Sequence, residues 1–354
     1  ACVYNERGEQ PIQIGRLQRY AIDWYFDHGM PSLFTPVPKN GKSIGVIGAG
    51  AAGLACAAEA ALLGYDVTIY DANEKPGGLN TWGIAPYKMT QADALKEVQL
   101  VQSFGVKIQS GVRVGEHVSI ESLADEHDAI FLGIGLRLPS RLNVPGEELP
   151  GVFEALDFIE KVTTRNWRSV DVGRRVAVIG AGNTAIDAVT EAKRLGAEQV
   201  MILYRRTRVE MPAYAFEYEL AKSDGVIFHF LTAPTRIIGN SHVEAIECMK
   251  MKLGEPDSEG RRKPEPISGS EFQIPADMVI KSIGQNLEET FIGRIPGLRT
   301  KSGRVVVDPE TLQTTNPHFF AGGDCTNGGK EVVNAAADGK RAAHGIHQVL
   351  IANK

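Results

Sequence analysis

The residues Ser43-Ile44-Gly45-Val46-Ile47-Gly48-Ala49-Gly50-Ala51-Ala52-Gly53 decide the fold of this 354-residue chain. The apolar run predicts a buried strand, and the glycines after it match G-x-G-x-x-G before a predicted helix. The first glycine allows a tight turn, the second lets the backbone approach a pyrophosphate, and the third allows close helix–strand packing. Because a helix N-terminus offers N–H donors and a positive dipole end, the turn predicts a phosphate site.

The chain just after this turn favours a dinucleotide site over a simple tight βα turn. A strand predicted over 66–70 completes a βαβ unit, and Asp71 follows it where an acid normally binds ribose hydroxyls. Gly77-Gly78, continued by Leu79-Asn80, lets the backbone run close to a large flat ligand, which resembles FAD-binding chains. Lys88 is a candidate contact to a phosphate or to the flavin, and the alternative is an ordinary surface lysine.

A second glycine turn, Gly180-Ala181-Gly182-Asn183-Thr184-Ala185, has the same form with alanine in the third place. The strand predicted after its helix ends without an acid and is followed by Arg205 and Arg206, with Arg208 close behind. A guanidinium matches a phosphate dianion in charge and geometry. The pattern therefore favours NADPH, with its 2′-phosphate, over NADH. The alternative is a solvated basic loop.

Composition excludes several other classes of protein. A net charge of −5 gives no reason to expect nucleic acid as a partner. The four cysteines form no C-x-x-C pair, which argues against a disulfide scaffold and for a reducing, cytoplasmic compartment. The nearly uncharged stretch 44–64 is glycine-rich and predicts a buried βα unit, not a membrane span. No Ser-His-Asp set or metal-ligand spacing is present, so no catalytic acid, catalytic base or metal ligand is predicted.

A late motif, Thr315-Asn316-Pro317-His318-Phe319-Phe320-Ala321-Gly322-Gly323-Asp324, resembles the last FAD-binding motif of flavoproteins with two dinucleotide-binding domains. The runs Leu132-Gly133-Ile134-Gly135 and Ser282-Ile283-Gly284-Gln285 resemble the paired crossover glycines of that superfamily. The resemblance implies an α/β fold with two Rossmann-like domains, of the FAD/NAD(P) type found in glutathione reductase. The FAD domain would comprise 41–150 and 285–354, with an NADPH domain, 151–284, inserted in it.

A closer resemblance rests on the stretch from Gly77 to Met89 and on Tyr204-Arg205-Arg206 with Met211-Pro212-Ala213. These resemble the small subunit of glutamate synthase and the FAD/NADPH half of dihydropyrimidine dehydrogenase. Glu331-Val332-Val333-Asn334 and Ile14-Gly15-Arg16-Leu17-Gln18-Arg19 are more similar to the pyrimidine enzyme. The resemblance implies FAD and NADPH as cofactors, held by Gly48, Gly50, Ala51, Ala52, Gly53, Asp71, Gly78, Leu79, Lys88, Val114, Gly135, Gly182, Asn183, Thr184, Arg205, Arg206, Gly284, Gly323, Asp324 and Val332.

In that family electrons pass from NADPH through FAD to a partner subunit or domain, by way of iron–sulfur clusters in an N-terminal helical domain. A cluster normally needs four cysteine thiolates, and the first 40 residues offer only Cys2. Residues 1–40 are therefore predicted to be a linker or remnant of that domain, in a chain cut from a longer one; the alternative is a form that works without clusters. The alternatives are a stand-alone ferredoxin or quinone reductase and a non-enzymatic nucleotide-binding module.

Overall fold

The computed structural model describes residues 7–35, 37–256 and 262–352. The segment before the first predicted strand contains a helix that the sequence analysis did not predict. Its Arg19 bonds Asp93 at 3.1 Å, which ties the helix to the body of the molecule. The elements of the first part are α1 (Ile14–Asp27), β1 (Ser43–Ile47), α2 (Ala51–Leu62), β2 (Asp66–Asp71), α3 (Leu79–Trp82), α4 (Gln91–Ser103), β3 (Lys107–Ser110), α5 (Ile120–Glu126), β4 (Ala129–Leu132) and β5 (Leu138–Pro139).

The middle of the chain repeats the strand–helix–strand unit around the second glycine turn and then adds several antiparallel strands. A single turn of 3₁₀ helix, Trp167–Ser169, precedes the unit. The elements are β6 (Val152–Glu154), α6 (Ala155–Thr164), β7 (Arg175–Ile179), α7 (Asn183–Arg194), β8 (Gln199–Tyr204), α8 (Ala215–Ser223), β9 (Ile227–Phe230), β10 (Thr232–Ile238), β11 (Ala245–Pro256), β12 (Arg262–Pro266), β13 (Phe272–Pro275) and β14 (Met278–Lys281).

The C-terminal part is made of short elements and one long helix. That helix, predicted over 331–351, begins one residue later in the structure. The elements are β15 (Gln285–Asn286), α9 (Glu289–Ile292), β16 (Thr300–Lys301), β17 (Arg304–Val305), β18 (Phe319–Ala321), α10 (Asp324–Asn327) and α11 (Val332–Ala352). Within the described part of the chain, no helix is long and apolar enough to cross a membrane.

Two five-stranded sheets, each made of parallel strands, form the frame of the molecule. The first has the order β18-β4-β1-β2-β3 and the second β6-β14-β7-β8-β9, with each glycine turn following a central strand. The strands β4 and β18 are buried along their whole length, because helices or loops cover both faces of such sheets. The chain leaves the first sheet after β4, builds the second, and returns in β18. This topology agrees with an α/β fold of two Rossmann-like units.

A third, antiparallel sheet lies beside the second one. The strands β10 and β13 pair with opposite edges of the first part of β11, and β12 pairs with its second part. The polar composition of the stretch 254–270 predicts a surface excursion between strands, and this is too simple. Part of it extends β11 to Pro256, and β12 pairs back onto it, because Met251 and Pro266 face each other in an antiparallel ladder. The tip, residues 257–261, lies outside the described residues.

Candidate functional site

The first glycine turn is held in place by contacts with Gly133, Tyr70 and Asp71. Gly48 has a φ of +97°, and a Cβ added there would lie 2.5 Å from the carbonyl oxygen of Gly133. Its N–H donates to the carbonyl of Tyr70 at 2.8 Å. The Asp71 carboxylate accepts the N–H of Ala49 at 2.6 Å and that of Asn73 at 2.8 Å. Asp71 therefore supports the turn itself, in addition to the ribose contact predicted for it.

A cavity of about 360 Å³ opens in front of this turn. Its size is that of an ordinary ligand pocket. Gly53 is not among its lining residues, because it packs behind the turn, where an added Cβ would lie 1.9 Å from the Gly48 carbonyl oxygen. Twelve of the predicted cofactor residues line the cavity: Gly48, Gly50, Ala51, Ala52, Asp71, Gly78, Leu79, Val114, Gly135, Gly323, Asp324 and Val332.

The glycine pair after Asp71 closes one wall of the cavity. Gly78 has a φ of +58°, and a Cβ on it would lie 2.7 Å from the Cα of Gly50 in the turn. Two glycines therefore face each other here, and neither carries a side chain that would enter the space in front of the turn. The short helix α3 begins directly afterwards and contributes Leu79 and Trp82 to the lining, of which Trp82 was not predicted.

The late acidic motif lies against the same cavity. Asp324 begins α10, and burial raises the pKa of its carboxyl group above the ordinary value. The adjacent Gly323 donates its N–H to Asp338 at 3.0 Å, and Asp338 also accepts from Asn327 at 3.1 Å. Asp338 lies on α11 and was missed in the sequence, because an acid inside a helix has no glycine pattern around it. It fixes the loop that presents Asp324.

Lys88 does not line the cavity, although it was a candidate contact to the flavin or a phosphate. Its ammonium group pairs with Asp187 at 2.7 Å and with Glu217 at 2.5 Å, and Asp187 also accepts from the Tyr87 hydroxyl at 2.8 Å. Burial alone would lower the pKa of Lys88, but the two carboxylates outweigh it and hold the pKa above its ordinary value. Lys88 therefore links the segment after the first turn to the helices α7 and α8.

The second glycine turn repeats the geometry of the first. Gly180 has a φ of +124°, and an added Cβ would lie 2.0 Å from the carbonyl oxygen of Ser282. Around Gly182, by contrast, nothing lies within 4 Å of an added Cβ, so the space in front of the turn is open. Asn183 and Thr184 form the N-terminus of α7, where free N–H groups attract an anion. The Asn183 side chain already accepts the N–H of Tyr214 at 3.1 Å.

The two predicted phosphate ligands follow β8, at the carboxyl ends of the strands of the second sheet. Arg205 is exposed, whereas Arg206 is half-buried. The Nε of Arg206 is buried and meets no hydrogen-bond partner among the described residues. A buried donor without an acceptor is costly, so this atom fits a site whose acceptor arrives with the ligand. Arg208, for which both roles were left open, places its guanidinium 4.1 Å from the centre of the Tyr218 ring.

The two crossover glycines lie where the chain passes between the units. Gly135 lines the cavity, and Gly284, with a φ of +102°, accepts the N–H of Ser140 at 3.0 Å through its carbonyl. A buried ion cluster stands beside this crossing, with Lys281 bonded to Glu147 and to Glu154 at 2.6 Å each. The cluster was not predicted, since Lys281 is far from Glu147 and Glu154 in the sequence.

The sulfur and metal chemistry of the described residues is sparse. Cys56, Cys248 and Cys325 are buried and free, and burial raises the pKa of the Cys325 thiol to about 12. Cys2 lies outside the described residues. Nowhere in residues 7–35, 37–256 and 262–352 do three or more His, Cys, Asp or Glu side chains form a group suited to a metal ion.

The family model and the similar proteins agree on one family. The family model described as pyridine nucleotide-disulphide oxidoreductase matches residues 42–339. The chain is 38% identical over 349 residues to the NADP(+)-dependent formate dehydrogenase subunit beta of Moorella thermoacetica, covering 98% of this chain and 49% of that protein. It is 35% identical over 353 residues to the glutamate synthase (NADPH) small chain of Escherichia coli (strain K12), covering 95% and 74% respectively.

Among solved structures, FprA of Mycobacterium tuberculosis in complex with NADPH superposes with a TM-score of 0.73. The superposition covers 89% of this chain and 85% of that one at 21% identity, which supports the fold alone. The predicted fold class is thereby confirmed. The chain spans about half the length of several curated relatives that it matches.

The resemblance to the glutamate synthase small subunit is also confirmed, whereas the nearer likeness to dihydropyrimidine dehydrogenase stays a prediction. The family match and the relatives agree with the two glycine turns, the crossover glycines and the late acidic motif. The chain belongs to the pyridine nucleotide-disulphide oxidoreductase family, in the group that includes the small chains of NADPH-dependent glutamate synthases.

Proposed function

We propose that this chain binds FAD at the first glycine turn and NADPH at the second, and passes electrons from NADPH through FAD to a partner subunit or domain. The observation that carries the proposal is the pairing of two matching turns with opposite charge beside them. The first has a buried acid and an adjoining cavity, and the second has an arginine with a buried, unpartnered Nε.

The cavity residues fit a flavin dinucleotide. The N–H groups at the start of α2 would receive the pyrophosphate, Asp71 would accept from ribose hydroxyls, and Asp324 would accept from the ribityl chain. Leu79 and Val332 would provide apolar contact for the ring system, while Gly50 and Gly78 leave the backbone free to approach. The cofactors supply the redox chemistry, and the residues hold the two rings in contact and exclude water.

The second turn fits NADPH better than NADH. The open space at Gly182 and the start of α7 would receive the pyrophosphate, with Asn183 and Thr184 beside it. Arg205 and Arg206 stand where an acid would bind an unmodified ribose. Their guanidinium groups would instead bind a 2′-phosphate. The family-level match to pyridine nucleotide enzymes supports the same assignment.

A partner is proposed because the described cysteines cannot carry electrons onward. They are buried and unpaired, so reduced flavin has no disulfide to reduce within the described residues. Relatives named as a subunit beta and a small chain are, by these names, parts of larger assemblies. An iron–sulfur subunit or domain of its own assembly, in contrast to a small diffusing iron–sulfur protein, is the proposed acceptor, and the cytoplasm is the proposed compartment.

Anaerobic mixing of the purified, FAD-loaded protein with NADPH and separately with NADH tests the function. We expect the visible flavin band to bleach with NADPH at a concentration about 100-fold lower than with NADH, as expected for a charged phosphate contact. Failure of both nucleotides to bleach the band, or failure of the protein to take up FAD, would refute the proposal.

A second step separates the partner-dependent chain from a stand-alone reductase. The NADPH-reduced protein is mixed with a soluble quinone and with a small iron–sulfur protein. A chain that needs its own partner should reoxidise slowly with both, although its flavin is reduced rapidly. Rapid turnover with either acceptor would favour the stand-alone reductase.

A further inference from the structure

One hydrogen bond joins the surroundings of the second turn to the rim of the cavity at the first. The Tyr214 hydroxyl donates to the Glu331 carboxylate at 2.5 Å. Tyr214 immediately precedes α8, and Glu331 immediately precedes α11. The two residues are thus far apart in sequence and belong to the two different dinucleotide-binding units. We call the hydrogen-bonded pair Tyr214 and Glu331 the bridge.

The backbone of Tyr214 is fixed to the second turn. Its N–H donates to the Asn183 side chain at 3.1 Å, and the N–H of Ala213 donates to the Ala181 carbonyl at 3.2 Å. Ala181 and Asn183 belong to the glycine turn itself. Any dinucleotide bound at that turn therefore lies beside the segment that carries Tyr214.

The backbone of Glu331 is fixed at the other end. Glu331 lines the cavity next to Val332, and its N–H donates to the Asn334 side chain at 3.2 Å. The contact between these two fixed backbone segments is made by the side chains of Tyr214 and Glu331. The Tyr214 side chain is partly exposed and stacks on Phe216, with ring centres 5.7 Å apart and planes 11° apart. Such a bridge can open by side-chain rotation without moving either helix.

We propose that the bridge occupies the path of the nicotinamide half of NADPH and competes with it. This inference rests on the proposed function. A dinucleotide held at Gly182 and Asn183 must direct its nicotinamide toward the cavity for its ring to meet a flavin. The bridge spans from Asn183 to the cavity rim, along that direction. Tyr214 and Glu331 are positioning residues whose contact breaks when the nicotinamide enters.

The chemistry of the bridge favours a closed state when the nicotinamide is absent. The acceptor is a carboxylate, and charge-assisted hydrogen bonds are stronger than neutral ones. The bond to Glu331 holds the pKa of Tyr214 above its ordinary value. Because both side chains are exposed, the bond adds a modest, breakable cost to nicotinamide binding.

Removing the bridge should therefore improve NADPH binding. We expect Tyr214→Phe, which keeps the ring, to lower the NADPH concentration for half-maximal flavin reduction about 3- to 10-fold, the range for one exposed hydrogen bond. Glu331→Met should do the same, and the double variant should gain no more than either single one. The flavin reduction rate at saturating NADPH should stay within about twofold, since the bridge is already broken in that complex.

Two controls isolate the nicotinamide. The fragment 2′,5′-ADP lacks it, so its affinity should be equal in the wild type, Tyr214→Phe and Glu331→Met. Tyr20→Phe alters an exposed tyrosine on α1 and should change nothing. The inference is overturned if Tyr214→Phe leaves NADPH half-saturation unchanged or raises it, if the two single effects add, or if 2′,5′-ADP binding shifts equally. Wild-type protein that NADPH fails to reduce would refute the proposed function instead.

Discussion

The two glycine turns share one backbone design and differ in the charge placed beside it. The N–H of Gly48 donates to Tyr70, and the N–H of Gly180 donates to Leu203, each across to the neighbouring strand. A Cβ added to Gly48 or Gly180 would also lie within 2.5 Å of a carbonyl oxygen of the crossover segment. However, β2 ends in a buried acid, Asp71, whereas β8 is followed by Arg205 and Arg206. In the proposed function, the shared backbone would position a pyrophosphate at each turn, and the residues at the end of the next strand would select the ribose.

The largest expected effect tests that selection directly. Replacing both Arg205 and Arg206 with Gln removes the two charged contacts proposed for the 2′-phosphate and should raise the NADPH concentration for half-maximal flavin reduction about 100- to 1000-fold. NADH should be affected less than about threefold, because it lacks that phosphate. Stopped-flow reduction with both nucleotides measures the ratio. Equal losses for the two would show that the arginines do not bind the 2′-phosphate.

The next effect concerns the link between the two units. Lys88→Met leaves Asp187 and Glu217, both buried, without their cation and should lower the free energy of unfolding by about 2–3 kcal/mol. Flavin reduction by NADPH should also slow, because the units lose a contact that fixes their separation. The control is Lys96→Met, whose exposed amine lies 3.7 Å from Asp93 and should cost under about 1 kcal/mol. Equal losses would remove the special role of Lys88.

A smaller effect tests the open space at the second turn. Gly182→Ala meets nothing within 4 Å, so the melting temperature should not change. The added methyl group points where backbone approaches the pyrophosphate, and NADPH affinity should fall about 10- to 30-fold. Gly15→Ala on α1 is also free of contacts and should leave NADPH affinity unchanged. An unchanged affinity for NADPH would place the pyrophosphate elsewhere.

The smallest expected effect concerns the first site and its pH dependence. Burial raises the pKa of Asp324, so its ionised form destabilises the folded apoprotein at neutral pH. Asp324→Asn should raise the apoprotein melting temperature at pH 7 by about 2 °C while weakening FAD binding. The gain should shrink as pH falls through the raised folded pKa and vanish below the ordinary value, 3.8. Thermal scans from pH 3.5 to 7 measure it, and a gain independent of pH would contradict it.

Sequence reasoning succeeded where the determinants are local. The apolar run before the first glycine turn predicted β1, because a buried parallel strand is continuously apolar and glycine ends it, and a strand was likewise predicted where β8 follows the helix of the second turn. The order of the two turns, the crossover glycines and the late acidic motif then predicted the fold class. Twelve predicted residues, among them Gly50 and Asp71, came together around one cavity for the same reason.

Sequence reasoning failed where the determinants are distant. The pairing of β12 with β11 depends on a register that no local pattern encodes, and α1 buries only Tyr25. Lys88, a candidate cofactor contact with an ordinary surface lysine as the alternative, pairs with Asp187 and Glu217 on another unit, which no local pattern encodes. The bridge and the Lys281 cluster are likewise side-chain contacts between segments that only the folded chain brings together.

The return of the chain to β4 has a consequence for how the protein is made. As the polypeptide emerges from a ribosome, β4 is complete long before β18, so its outer edge lacks a partner while the entire second unit is synthesised. An unpaired, fully apolar strand edge is a site for wrong pairing. The second sheet, built from contiguous sequence, can fold during this interval and bring Leu132 and Phe319 into proximity. Translation speed between these residues should therefore govern the yield of correctly folded protein.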